Sequence, residues 1–431
     1  MTVRLLALTA IVLALGAAAV ARASRDHGGH EVWAVDQSNT NGTQSGGTLY
    51  VYDGRRMRDP ERIDLGAETE DLCLQRTGSA PVRPHMLLFS PRHSHAVLSF
   101  VASGHVVFFD ARSRAPVECI DVGAQAHAAV ASPDGSYVIV ADQNGKRVHR
   151  IATDYSAGRF TLEPAATLDL ASGTTPSGAP RQDPLLRPDT APICPIVDSS
   201  SRLTFVTLRG GGLFVLDSRA TPLRIVAEYD RETVHGNGCG GVETRGKLYV
   251  DSGGGTAANM DEFDVYAFDL ADFRSASGRL VCVAPAPNVP APKLVVSQDD
   301  REHADAHGVA LVAHDRYLWV ADRAGNRVVV IDTRTDRVDG EFSLPGPLSD
   351  DPSPDLLDGS PAGDRVYVSL RGSLPLSGDP HASTGSTPGV GVIEVRHGGR
   401  GGALRSIARV TNVDATGIDR ADVHALRVRR R

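Results

Sequence analysis

The chain has 431 residues, of which 41% are hydrophobic and 23% are charged, and its formal net charge is −7. This composition is typical of a soluble globular protein and excludes disordered, collagen-like and multi-span membrane chains. The acidic balance argues against nucleic acid as a partner, because phosphate binding requires a basic surface.

The N-terminus has the three parts of a secretory signal peptide. Arg4 precedes an uncharged apolar run over residues 5–20, and Ala21-Arg22-Ala23 gives an A-x-A cleavage pattern. We expect residues 1–23 to be removed, residues 24–30 to form a flexible arm, and the protein to be secreted or periplasmic. The alternative is an uncleaved membrane anchor, although the run is short for a spanning helix. No later stretch is apolar enough to span a bilayer, so no stable membrane span is expected after cleavage.

Five cysteines follow this segment, at Cys73, Cys119, Cys194, Cys239 and Cys282. An exported protein meets oxidising conditions, so we expect one or two disulfides, although the sequence does not fix which cysteines pair. The absence of a C-x-x-C-H sequence argues against covalently bound c-type haem. The glycine runs at 210–212 and 253–255 are typical of hairpin turns, so no nucleotide site is predicted.

One pattern recurs along the chain and determines the predicted architecture. An apolar strand opens with His, a tight turn follows, a second strand ends near Asp, and a third strand also ends in Asp. The clearest copy runs from His127 to Asp142, and His85 lies 42 residues before His127. This spacing is the length of one four-stranded propeller blade. Other copies open near residues 194, 239, 307 and 355.

The two ends of the chain supply the remaining blade. The segment beginning at His424 matches an opening strand, whereas residues 31–36 and 48–53 match a second and a third strand. We therefore predict an all-β, seven-bladed β-propeller over residues 31–431. One blade is closed by N- and C-terminal strands together, which removes an open sheet edge.

Three segments carry a family resemblance: residues 126–135, 317–328 and 328–335. They resemble the repeats of YVTN-type seven-bladed β-propellers of exported bacterial proteins. The resemblance implies this fold over nearly the whole mature chain. It does not imply one activity, because this superfold hosts carriers, lyases, lactonases and redox enzymes.

Histidines open the inner strand of four predicted blades, at His85, His127, His307 and His424. Equivalent inner-strand positions surround the channel of a propeller, so these imidazoles predict a transition-metal site for Zn or Cu. The alternative is that each histidine bonds a neighbouring blade and only stabilises the ring. Residues that orient these ligands or add to them are predicted at Asp305, Asp422, Cys194, His235, Cys239 and Asp355.

The chain more weakly resembles periplasmic zinc-chaperone propellers, which place histidines on inner strands and carry a His/Asp-rich N-terminal arm. In this chain only His27 and His30 echo that arm. The first functional hypothesis is therefore a metal carrier that passes its ion to a metal-accepting exported protein.

Two other hypotheses remain open. One is a lactonase-like hydrolase or lyase in which a channel histidine and a carboxylate act as an acid–base pair. The other is a scaffold whose rim loops, such as residues 372–389, bind another protein without chemistry.

Overall fold

The computed structural model describes residues 29–38, 46–254, 261–274, 290–298, 302–376 and 383–431. The predicted signal peptide, most of the predicted arm and Cys282 lie outside these residues. Within them, the strands form seven antiparallel sheets, which confirms the predicted all-β seven-bladed propeller.

The strands of each blade follow one another from the channel outward. Blades 1 to 3 are β29 (Val423–Arg430), β1 (His30–Asp36), β2 (Thr48–Asp53), β3 (Glu61–Asp64); β4 (Pro84–Phe89), β5 (His95–Phe100), β6 (His105–Asp110), β7 (Pro116–Asp121); and β8 (Ala126–Ala131), β9 (Tyr137–Asp142), β10 (Arg147–Asp154), β11 (Arg159–Leu162), with β12 (Leu168–Asp169) also paired to β10. Blades 4 and 5 are β13 (Pro192–Val197), β14 (Leu203–Leu208), β15 (Leu213–Asp217), β16 (Arg224–Tyr229); and β17 (Gly241–Thr244), β18 (Lys247–Gly253), β19 (Phe263–Asp269), β20 (Lys293–Ser297). Blades 6 and 7 are β21 (Ala306–Val312), β22 (Tyr317–Asp322), β23 (Arg327–Asp332), β24 (Arg337–Ser343); and β25 (Pro354–Gly359), β26 (Arg365–Leu370), β27 (Gly389–Arg396), β28 (Gly401–Arg409).

The second strand of a blade is covered on both faces by the neighbouring blades. Every residue of β9 and of β22 is buried, and both strands are rich in β-branched and aromatic side chains. The outer strand β24 is largely exposed. The hydrophobic core therefore lies between blades rather than at a single centre.

The chain ends close the ring as predicted. Strand β29 pairs antiparallel with β1, with Val428 opposite Val32 and Leu426 opposite Ala34. This pairing makes the C-terminal strand the innermost strand of blade 1 and places His424 beside the channel.

Aspartates at the ends of second strands fasten the loops that lead into the channel. Asp142 Oδ1 accepts hydrogen bonds from the backbone N–H groups of Gly145 (3.1 Å) and Gln125 (2.8 Å). Asp322 Oδ1 makes the equivalent contacts with Gly325 and Asp305. These carboxylates cap loops and fix the start of the inner strand.

Helix α1 (Leu65–Thr77) lies between blades 1 and 2 and was not indicated by the repeat pattern. The Asp64 carboxylate caps its first turn, and Gly78 ends it with a left-handed φ of 84°. A disulfide joins Cys73 in the helix to Cys119 in β7.

A second disulfide, between Cys194 and Cys239, links blades 4 and 5. The two bonds agree with the expectation of one or two disulfides and indicate an oxidising environment. Among the described residues, no helix has the length and apolar character needed to cross a membrane.

Blade 1 contains a buried carboxylate that ties its two chain ends to blade 2. Glu31 lies 2.6–2.9 Å from the guanidinium nitrogens of Arg114, Arg429 and Arg431, and it accepts a hydrogen bond from Trp33 Nε1. Burial acts to raise the pKa of Glu31, but the Trp33 and arginine hydrogen bonds outweigh burial and lower it to about 2.

We expect Glu31→Gln to reduce the free energy of unfolding by roughly 2–3 kcal/mol at pH 7. The pKa of Glu31 in the folded protein lies below its ordinary value of 4.5. Its contribution is therefore complete above pH 4.5 and is lost as the pH falls through about 2. Urea unfolding of both proteins across this range should show the difference shrinking in acid. The exposed Glu232→Gln serves as control, and a difference that does not depend on pH would contradict the assignment.

Candidate functional site

The site is built from one residue at the start of the inner strand in each blade. The ring residues are His424, His85, His127, Cys194, Cys239, His307 and Asp355, in blade order. In six of the seven inner strands, pairing with the second strand shifts register next to this residue. Such bulges redirect a side chain out of the regular pleat, which explains how residues of one register converge.

The four predicted histidines do come together. All of them line one cavity of about 260 Å³ in the channel. The rings of His85 and His424 stack with centroids 4.1 Å apart, His127 lies edge-on to His85 at 4.5 Å, and His307 lies 5.6 Å from His424. The imidazoles therefore form a continuous row around one side of the channel.

Hydrogen bonding defines the tautomer of His85. Gln37 Nε2 donates to Asp422 Oδ2, so Gln37 Oε1 accepts a hydrogen bond from His85 Nδ1 at 3.0 Å. The lone pair of His85 Nε2 then faces His127 Nε2, which lies 3.2 Å away and donates its hydrogen.

Asp355 is the centre of the buried charge. Its Oδ2 accepts from His424 Nδ1 at 2.6 Å and from Arg371 Nη1 at 2.8 Å, and its Oδ1 lies 3.0 Å from His307 Nε2. Arg371 also binds both carboxylate oxygens of Asp422, at 2.7 and 2.9 Å. Arg371, Asp355 and Asp422 are all fully buried.

A second guanidinium lies on the other side of Asp355. Arg323 Nε donates to Asp305 Oδ2 at 2.5 Å, and Arg323 Nη1 lies 3.4 Å from Asp355 Oδ1. The predicted carboxylates Asp305 and Asp422 therefore bind arginines and orient the site through them.

Two imidazoles in this network carry nitrogens with no hydrogen-bond partner among the described residues. These nitrogens are His424 Nε2 and both ring nitrogens of His307. The distance from His307 Nε2 to Asp355 is short, but its geometry does not make a hydrogen bond. Ligand atoms of His307, Asp355 and His424 all lie within 4.8 Å of one another.

Burial keeps the imidazoles neutral. It lowers the pKa of His127 to about 3, and it holds the pKa of His85 and His307 well below the ordinary value. Burial opposes ionisation of Asp355 as well, but His424, His307 and the two arginines outweigh it and hold its pKa well below the usual range. Burial also raises the pKa of Asp305 to about 7, against the opposing charge of Arg323.

The remaining predicted ligands lie in other settings. Cys194 and Cys239 form a disulfide and so do not present thiolates, and Cys194 Sγ lies 3.9 Å from His127 Nδ1. His235 does not group with the ring histidines. It lies beside Glu262 and Asp264 instead.

Sequence reasoning missed a second set of channel residues, one position after the end of each second strand. Six blades place a residue with a side chain there, and blade 5 places Gly254: the six are Gln37, Val101, Gln143, Arg209, Arg323 and Arg371. The signal was present, because this position follows the recurrent Asp of the repeat in three blades and carries a polar side chain in each of them.

Comparisons with known proteins support the fold alone. No family model and no curated protein matches the chain, so the YVTN-type resemblance is not confirmed at the family level. A solved protein from Lactobacillus plantarum has a TM-score of 0.59 at 12% identity, covering 93% of this chain and 99% of its own. A candidate 6-phosphogluconolactonase from Bacteroides fragilis has a TM-score of 0.56 at 12% identity, covering 94% and 99%. The chain is similar to both in its β-propeller architecture.

We expect Arg371→Met to be strongly destabilising, by roughly 3–5 kcal/mol, because it leaves Asp355 and Asp422 buried without their shared cation. The exposed Arg405→Met breaks a surface pair with Glu394 and should cost about 1 kcal/mol or less. Urea unfolding of both variants measures the contrast. If both variants lost the same free energy of unfolding, the stability of the buried network would not depend on the charge of Arg371.

Proposed function

We propose that this protein binds one transition-metal ion, of the Zn²⁺ or Cu²⁺ type, at the row of channel histidines. The observation that carries the proposal is the set of buried nitrogens on His424 and His307 that lack partners within the described parts of the chain. Buried polar atoms normally have partners, so unpaired imidazole nitrogens facing a cavity favour a bound cation.

His424 has the arrangement expected of a metal ligand. Its Nδ1 donates to Asp355, which leaves the lone pair of Nε2 directed away from that carboxylate. A carboxylate on the far nitrogen fixes the ring and increases the basicity of the ligating nitrogen. Asp355 is therefore proposed as the orienting group for His424.

His85 is the next proposed ligand, oriented in the same manner by Gln37. In the metal-free protein its Nε2 accepts the hydrogen of His127 at 3.2 Å. For an ion to bind both Nε2 atoms, the hydrogen of His127 would move to its Nδ1, which faces the sulfur of Cys194, and each Nε2 would then offer a lone pair. Neutral imidazoles are the form that binds metals, and burial maintains that form in the channel.

The charge of the site favours a nitrogen-bound ion over Ca²⁺ or Mg²⁺. The buried carboxylates Asp305, Asp355 and Asp422 already bind guanidinium groups of Arg323 and Arg371. Hard cations need several oxygen ligands, whereas the donors that face the cavity are mainly imidazole nitrogens.

An exported carrier would pass this ion to a metal-accepting protein outside the cytoplasm. The two disulfides support an extracytoplasmic location. His85, His307 and His424 are buried beside a cavity that Arg83 and Leu376 also line, so an acceptor protein would take the ion from within this cavity.

We expect purified mature protein to bind Zn²⁺ at the channel with one equivalent, and His307→Ala with His424→Ala to abolish that binding. Calorimetric titration after chelator treatment measures the stoichiometry. The control is His105→Ala, since His105 is also buried but bonds Ser103 in blade 2. Unchanged Zn²⁺ binding in the double variant would contradict the proposal. If the wild type bound no metal and the double variant were only less stable, the result would favour the scaffold hypothesis.

A second candidate function is hydrolysis of a lactone. The observation in its favour is the His424–Asp355 pair beside a cavity that Arg83, Arg209 and Arg323 also line. A neutral histidine oriented by a carboxylate can act as a general base, and arginines suit an anionic substrate. The similar Bacteroides fragilis structure is a candidate 6-phosphogluconolactonase.

For this candidate we expect turnover of a sugar lactone, 6-phosphogluconolactone included, that persists in chelator and falls by at least about 100-fold in His424→Gln. Lactone hydrolysis followed by pH indicator provides the measurement. Turnover that survives in His424→Gln, or that needs added metal, would rule out the metal-free acid–base pair.

A further inference from the structure

His235 lies in a cluster separate from the histidine row. It precedes β17 in blade 5, whereas Glu262 and Asp264 lie at the start of β19 in the same blade. His235 Nδ1 lies 2.6 Å from Asp264 Oδ2 and 3.7 Å from Glu262 Oε1. The three ligand atoms lie within 4.8 Å of one another.

The burial of the cluster differs from that of the channel ring. The side chains of Glu262 and Asp264 are only 1% exposed, but that of His235 is 36% exposed. The two carboxylates are therefore buried, and the imidazole that they face is partly exposed to solvent. Burying two carboxylates side by side is costly unless a cation offsets their charge.

Asp264 supplies an independent indication of a ligand. Its Oδ2 accepts a hydrogen bond from Tyr266 OH at 2.9 Å as well as facing His235. Its Oδ1 is fully buried and has no hydrogen-bond partner among the described residues. A half-satisfied buried carboxylate beside an imidazole and a second carboxylate is the donor set of a divalent cation.

Neighbouring contacts hold the three side chains in place. Ser252 Oγ donates to the His235 carbonyl, and the Glu262 backbone bonds to Ala304 and Ala306. These contacts hold the backbone at His235 and at Glu262.

We propose that His235, Glu262 and Asp264 form a second, solvent-accessible site for a divalent metal ion, distinct from the histidine row. One nitrogen and several carboxylate oxygens suit Mn²⁺, whereas the channel row offers mainly nitrogen and suits Zn²⁺ or Cu²⁺. His235 lies in the loop that enters blade 5, and Glu262 and Asp264 belong to blade 5. The site therefore uses no side chain of the histidine row and binds its ion whether or not the channel holds one.

Mn²⁺ alone is the most selective probe, because carboxylate-rich sites bind it better than imidazole sites do. We expect the mature wild-type protein to remove one equivalent of Mn²⁺ from the free-ion EPR signal. Asp264→Asn should abolish this binding while it preserves the side-chain shape and the acceptor for Tyr266. His235→Gln, at the half-exposed position, should weaken binding at least about 10-fold without affecting the fold.

Two controls separate this site from the channel. The double variant His307→Ala and His424→Ala should retain Mn²⁺ binding, and the exposed His314→Asn should behave as wild type. Thermal melting confirms that each variant is folded. The proposal would be overturned if the folded wild type did not bind Mn²⁺. It would also be overturned if His235→Gln and Asp264→Asn bound Mn²⁺ as tightly as the wild type, and His235 would then be only an ion-pair partner.

Discussion

The pairing of β29 with β1 is the constraint on which both the fold and the site depend. It joins the two ends of the chain in one sheet, so β1 is paired on both of its edges. Strand β29 begins at Val423, directly after Asp422, and carries His424 as its second residue. Ring closure therefore also delivers the carboxylate that binds Arg371 and the imidazole that binds Asp355. Stability and site assembly cannot be separated in this architecture.

In the channel, bonds between arginines and carboxylates of different blades hold the buried polar site together. Arg371 and Arg323 follow second strands, whereas Asp355 and His424 come from inner strands. Each guanidinium bonds carboxylates from two different blades, which fixes the angular spacing of those blades around the axis. The arginines bond the three carboxylates, whereas His424 Nε2 and both ring nitrogens of His307 have no hydrogen-bond partner in the described part of the chain. The unpaired nitrogens therefore lie directly beside a network of ion pairs.

The repeat made the fold and the histidine row predictable, because both depend on one register position in each blade. Helix α1 was missed since only four of its residues are buried and they give little apolar periodicity. Gln37 and Arg371 were missed because a polar residue after a strand is usual in loops. The prediction that places His235 near the ring rests on its position four residues before Cys239. In the structure His235 groups with Glu262 and Asp264, so proximity in sequence to Cys239 did not place it with the ring histidines.

The two proposed metal sites differ in how their side chains are exposed to solvent. Ring positions are crowded by neighbouring blades. Neutral imidazoles tolerate that setting without a counter-charge, whereas the carboxylate of Asp355 is paired there with Arg371 and Arg323. His235 lies before its inner strand, and its partners Glu262 and Asp264 belong to the third strand and its approach. The cluster therefore meets solvent on one side, which reduces the cost of holding two negative charges. The proposed sites therefore differ in their donors, which are mainly imidazole nitrogens in the histidine row and mainly carboxylate oxygens in the cluster of His235, Glu262 and Asp264.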